Sequence, residues 1–189
     1  MLDYAVRDEQ RTIDTAQCIE RFVDVPRFLG YCRECPAYGR TWACPEFDFD
    51  PLEVWTSRRW FHVITRTITF TAGQRRNGFD PDELQPQVMA MFTREKRRLR
   101  HRVAVLRAAH PGSVPLLAGS CELCEHCTRL EGRPCTHPEQ LMHSIESIGG
   151  DVVQLVRELF GIQMSWSDGT RLPDAYYLTV GLLSDEPAL

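Results

Sequence analysis

Phe61-His62-Val63-Ile64-Thr65-Arg66-Thr67-Ile68-Thr69-Phe70 is the stretch on which the fold turns. Rich in β-branched and aromatic residues and free of glycine and proline, it predicts the clearest strand in the chain. Residues 71–80 make a turn-rich connection. Asp80-Pro81 then supplies an N-cap with proline at the first helical position. Beyond it Val88, Phe92, Leu99, Val103 and Leu106 recur at helical spacing, with one turn passing through Glu95. This predicts a long helix ended by Pro111-Gly112, and the apolar run 114–118 predicts a buried strand after it.

Working outward, residues 1–30 read as a polar lead-in with a short strand near 19–25. Asp50-Pro51 caps a short helix over 52–59. His137-Pro138-Glu139 opens a helix to about Ile148, which Gly149-Gly150 ends, and Asp151 caps another over 152–160. Strands over 162–166 and 176–183 flank a turn at Ser167-Asp168-Gly169. The pattern predicts an α+β fold, a small sheet with packed helices, as a single domain over 1–189. There is no internal repeat.

Seven of the eight cysteines fall into two tight groups, Cys32-x2-Cys35-x8-Cys44-Pro45 and Cys121-x2-Cys124-x2-Cys127-x7-Cys135. Two cysteine-rich metal-binding loops are therefore expected, at about 31–51 and 119–137. A CxxC step lets two thiolates converge on one metal, and a CxxCxxC run wraps a turn of backbone around a larger object. Thiolates are soft donors that suit zinc and iron–sulfur clusters. In the second group Cys121, Cys124 and Cys127 supply three corners of a cubane and Cys135 returns as the fourth, helped by Gly132 and Pro134. That predicts one or two [4Fe–4S] clusters, with zinc as the alternative. His126 and His137 are alternative zinc ligands that read better as surface or capping residues.

The first group has three cysteines, and three readings stay open for the fourth position. Cys18 supplies it, a cysteine of the second group supplies it, or one iron stays open to substrate, water or a non-cysteine ligand. Trp42 lies inside this group and is expected to keep water from it.

A net charge of −4 argues against a nucleic-acid partner, and the basic stretch 94–102 reads as the solvated face of a helix. No apolar stretch reaches the roughly 18–20 residues of a membrane span. The N-terminus has no basic segment leading into an apolar run, so no secretory leader is expected. Reduced thiols then suit the cytoplasm. No Walker motif, dinucleotide glycine fingerprint or Gly-x-Ser-x-Gly occurs.

Cys32-Arg33-Glu34-Cys35-Pro36-Ala37-Tyr38-Gly39-Arg40-Thr41-Trp42-Ala43-Cys44-Pro45, with Cys121-Glu122-Leu123-Cys124-Glu125-His126-Cys127, Cys135-Thr136-His137-Pro138 and Ser144-Ile145-Glu146-Ser147-Ile148-Gly149-Gly150-Asp151, resembles a known pattern. It is similar to the predicted metal-binding proteins of domain of unknown function 2284. The resemblance implies a metal-ligand role for Cys32, Cys35, Cys44, Cys121, Cys124, Cys127 and Cys135, while Cys18 lies outside the motif. Glu46 after Pro45 and His143 before Ser144 stand where the pattern has proline, and neither change removes a thiolate.

Three functions follow as expectations: an iron–sulfur protein in electron transfer or a redox reaction with a partner protein, an enzyme using an open-iron cluster, and a zinc-folded adaptor.

Overall fold

The computed structural model describes residues 2–164, 167 and 169–189. Strand β1 (Tyr4–Asp14) leads to helices α1 (Thr15–Phe22), α2 (Val25–Arg33) and α3 (Pro51–Thr56). Then come β2 (Trp60–Phe70), α4 (Ala72–Arg76), α5 (Pro81–Ala109), β3 (Val114–Leu117), β4 (His143–Ser144), α6 (Val152–Phe160) and β5 (Ala175–Ser184). The five strands form one mixed sheet in the order β1-β2-β5-β3-β4. Only the β3–β4 pair is parallel, with Leu116 opposite His143. The fold is α+β, as the separated strand and helix runs predict.

Alternation along β2 sends side chains to two faces. Ile64 and Ile68 pack with Leu84, Val88, Met91 and Leu99 of α5. Phe61 and Val63 face the other way, against Phe22 of α1, Trp55 of α3 and Leu155 of α6. Helices thus cover both faces. Aspartates begin five of them: Asp14, Asp24, Asp50, Asp80 and Asp151 each accept a hydrogen bond from a first-turn amide.

Several expectations change. The lead-in contains β1, an edge strand whose charged residues keep it half exposed. Residues 19–25 are not a strand: Asp14 and Asp24 cap α1 and α2 across them. The predicted helix over 137–148 is three short pieces, namely a 3-10 turn at Pro138–Gln140, β4, and a second 3-10 turn at Glu146–Ile148. Leu141 turns extended after the first turn, and its neighbours Met142 and Ser144 become buried. The predicted strand at 162–166 is absent over Ile162 and Met164, while Ser165, Trp166 and Asp168 lie outside the described residues.

Glu95 does not interrupt the α5 stripe toward solvent. It is fully buried and accepts from Tyr4 at 2.7 Å, Arg66 at 2.8 Å and Arg98 at 2.9 Å. Arg66 also forks onto Asp8 of β1, 2.7 and 2.8 Å away, which Arg102 joins. With Arg100 on the Gln140 carbonyl and Lys96 on Glu122, much of the basic stretch is paired with groups of the same chain. Among the described residues, no helix is long and apolar enough to cross a membrane.

Candidate metal centre

Cys32 occupies the last turn of α2, which begins where Asp24 accepts from the Arg27 amide and Pro26 fits the first turn. The chain then winds through successive tight turns. The Cys35 amide donates to the Cys32 carbonyl (3.0 Å), Tyr38 to Cys35 (3.0 Å) and Cys44 to Thr41 (3.1 Å). Gly39 N–H closes the loop onto the Pro45 carbonyl at 2.7 Å. These turns bring the first three cysteines into electrostatic reach of one another. Burial pushes the Cys32 thiol up, and Cys44, Cys35 and Glu146 add to it. Burial also pushes Cys44 up, against the Thr41 hydroxyl, with Cys35 and Cys121 adding to the rise. Such thiols hold their protons until a cation takes their place, so metal binding there releases protons.

The second group lines one cavity of about 230 Å³, with Cys121, Cys124, Cys127 and Cys135 all in its wall. The segment folds back through a 3-10 turn, Thr128–Glu131, ended by Gly132 at φ 66°. This left-handed backbone suits glycine. The Thr128 hydroxyl then ties down the Pro134 carbonyl at 2.8 Å. Three of the four sulfurs have polar neighbours: Arg100 Nη2 donates to Cys121 Sγ (3.8 Å), the His137 amide donates to Cys135 Sγ (3.4 Å), and Thr136 Oγ1 lies 3.5 Å from Cys124 Sγ. His126 also lines the cavity, while His137 meets the group through its backbone.

The two segments pack on each other, which neither spacing foretells. Arg129 donates to the carbonyls of Thr41 (2.8 Å), Cys44 and Glu46 (2.6 Å), and its guanidinium lies 5.4 Å from the Trp42 ring centroid. Trp42 has a second neighbour beside its own group. It lines the cavity of the second, with its indole N–H donating to the Arg133 carbonyl at 3.1 Å. Glu46 accepts from the Tyr38 hydroxyl at 2.8 Å. His143 pairs with the Ala43 carbonyl at 3.2 Å and stands edge-on to Phe47 and Phe49.

Cys18 stands apart. It is 1% exposed among Phe22, Trp55 and Leu155, and burial pushes its thiol up to about 12. It packs as a small hydrophobe. All eight cysteines are free thiols. Among the described residues, no three His, Cys, Asp or Glu side chains converge closely enough to hold a single ion.

The donor sets suit a soft metal. Four thiols line the second cavity, and in the first group Cys44, Cys35 and the Glu146 carboxyl stand within electrostatic reach of Cys32. Glu146 and Arg129 carry no cysteine-like signal in the sequence. Only Glu146 falls within the stretches that bear the family pattern.

No curated protein and no solved structure matches the chain. The family model for predicted metal-binding proteins, domain of unknown function 2284, matches residues 19–183, and the chain belongs to that family.

Proposed function

From that membership and from the cavity walled by four thiols, we infer that the protein binds [4Fe–4S] clusters and moves electrons with a redox partner protein. One observation carries the reading: Cys121, Cys124, Cys127 and Cys135 line a space of about 230 Å³. The CxxCxxC run with Cys135 returning is the four-cysteine set of a cubane, whereas zinc ribbons pair a CxxC step at each end of a loop.

The surrounding residues suit that role. A bound cluster supplies one-electron chemistry at a potential set by its protein environment. Hydrogen bonds from Arg100 and the His137 amide to the sulfurs stabilise negative charge and favour the reduced state. Trp42, Leu123, Leu130 and Leu141 line the cavity and limit the access of water to it. The first group holds a second cluster with three thiolates, because Cys18 is packed in the core.

The test is spectroscopic. Protein purified without air is expected to be brown, to bleach with dithionite and to give a paramagnetic signal on reduction. Cys124→Ala should remove the share of that signal due to the second group. A colourless wild-type protein that binds zinc instead would overturn the reading and favour the zinc-folded adaptor.

A further inference from the structure

We propose that Glu146 is the fourth protein ligand of the first cluster, reaching its one non-thiolate iron from the wall of a cavity of about 840 Å³. This rests on the cluster reading above and assigns the position that three cysteines leave open.

The position follows from packing. Glu146 begins the 3-10 turn Glu146–Ile148, which packs against α2, the helix that ends with Cys32. The contact is close because Gly149 follows: a Cβ there would lie 2.7 Å from Val25 Cγ2 and 2.8 Å from Val25 Cα, at the start of α2. The Asp24 amide donates to the Gly149 carbonyl at 2.8 Å and fixes the start of α2 against this turn. Burial pushes the Glu146 carboxyl up, and its electrostatic influence reaches the Cys32 thiol.

The Glu146 backbone N–H and the Ser144 hydroxyl serve the carboxylate on one side only. Its Oε2 is sealed from solvent and has no hydrogen-bond partner among the described residues. A buried oxygen without a partner costs free energy, and a bound ion is one of the ways such a group is satisfied. A cation beside the Cys32 group would satisfy it, and oxygen donors do bind iron. No other orphaned acidic oxygen occurs among the described residues.

Glu146 also lines a cavity of about 840 Å³, with Tyr31 (the residue before Cys32), Phe28, Phe92 and Lys96 in the same wall. Lys96, the chain's only lysine, acts on the carboxylate through space. An iron held by Glu146 is therefore the corner that a small molecule in this cavity can reach. A carboxylate ligand yields to such a molecule more readily than a thiolate does on soft iron.

The experiment uses the full chain, loaded with ⁵⁷Fe without air, in a Cys124→Ala background that isolates the first cluster. Cyanide serves as the probe, read by Mössbauer and paramagnetic spectra. One iron site with oxygen ligation is expected when Glu146 is present, and Glu146→Ala should alter that subsite. If the carboxylate holds the iron nine-tenths of the time, removing it lets cyanide bind at about tenfold lower concentration. Glu146→Cys should give an all-thiolate cluster that cyanide does not perturb.

A retained cluster with the same subsite spectrum and cyanide response in Glu146→Ala overturns the assignment alone. A Cys124→Ala protein that folds, by its circular dichroism, yet holds neither iron nor sulfide overturns the cluster reading of the first group together with the assignment.

Discussion

Replacing Arg129 with alanine should part the two cysteine segments while leaving every thiol in place. Arg129 makes three hydrogen bonds to carbonyls of residues 41–46 and one ring contact with Trp42. Hydrogen bonds from a charged donor contribute about 1.5–3 kcal/mol each. Arg129 is half-buried, and the freed carbonyls regain water, so about 1 kcal/mol each is the fitting scale. The cation–π contact adds about 0.5–1 kcal/mol at a partly exposed site. The sum, roughly 3–4 kcal/mol, means local opening more frequent by roughly two to three orders of magnitude. Amide hydrogen exchange over residues 34–50 in anaerobically prepared protein reads this directly, with β2 amides as the internal reference. Arg129→Lys, which lacks the planar fork, should fall between wild type and alanine. A change below about threefold, or about 0.7 kcal/mol, would refute the view that Arg129 joins the segments.

Other outcomes are equally definite. Burial opposes ionisation of Asp8, but Arg66 and Arg102 outweigh it and hold the carboxyl below its ordinary value. Its contribution is therefore present above about pH 3.9 and lost as the pH falls through the depressed native value; Asp8→Asn should flatten this acid limb in denaturation curves from pH 6 to pH 2. Glu95→Ala leaves Arg66 with one carboxylate partner in a buried site, and chemical denaturation should show a loss of about 3 kcal/mol. Cys18→Ala should lower stability by about 1–2 kcal/mol while leaving the iron count unchanged, and mass spectrometry should find Cys18 unalkylated in the native protein. Gly150→Ala forces a Cβ against Ile145 and should cost at least about 1–3 kcal/mol in thermal denaturation.

What the sequence made legible follows physical lines. Strong local signals survived: β2 by its β-branched run, and α3, α5 and α6 by their aspartate caps and apolar faces. β1 did not read as a strand because Arg7, Asp8, Glu9 and Arg11 mask its alternation. Its pairing is decided by β2, and Asp8 is matched by an arginine 58 positions away. Ile19, Phe22 and Val23 have strand propensity, yet two aspartate caps and the core position of Phe22 give helices. The run 137–148 had a good helix start, but pairing of His143 and Ser144 with β3 wins. In the site, spacing grouped the seven cysteines, and the four of the second group line one cavity. The long-range parts were not readable: Trp42 over the other group's cavity, Arg129 as the tie between segments, and Glu146 beside Cys32. Each depends on tertiary packing of residues some 90 to 110 positions apart.

Iron, acid-labile sulfide and zinc measured together, on protein purified without air, test most directly whether the thiols hold iron and sulfide. The expected result is iron and sulfide in near-equal amounts, at about four or about eight per chain, with zinc far below one. One or two zinc ions per chain with no sulfide would contradict it.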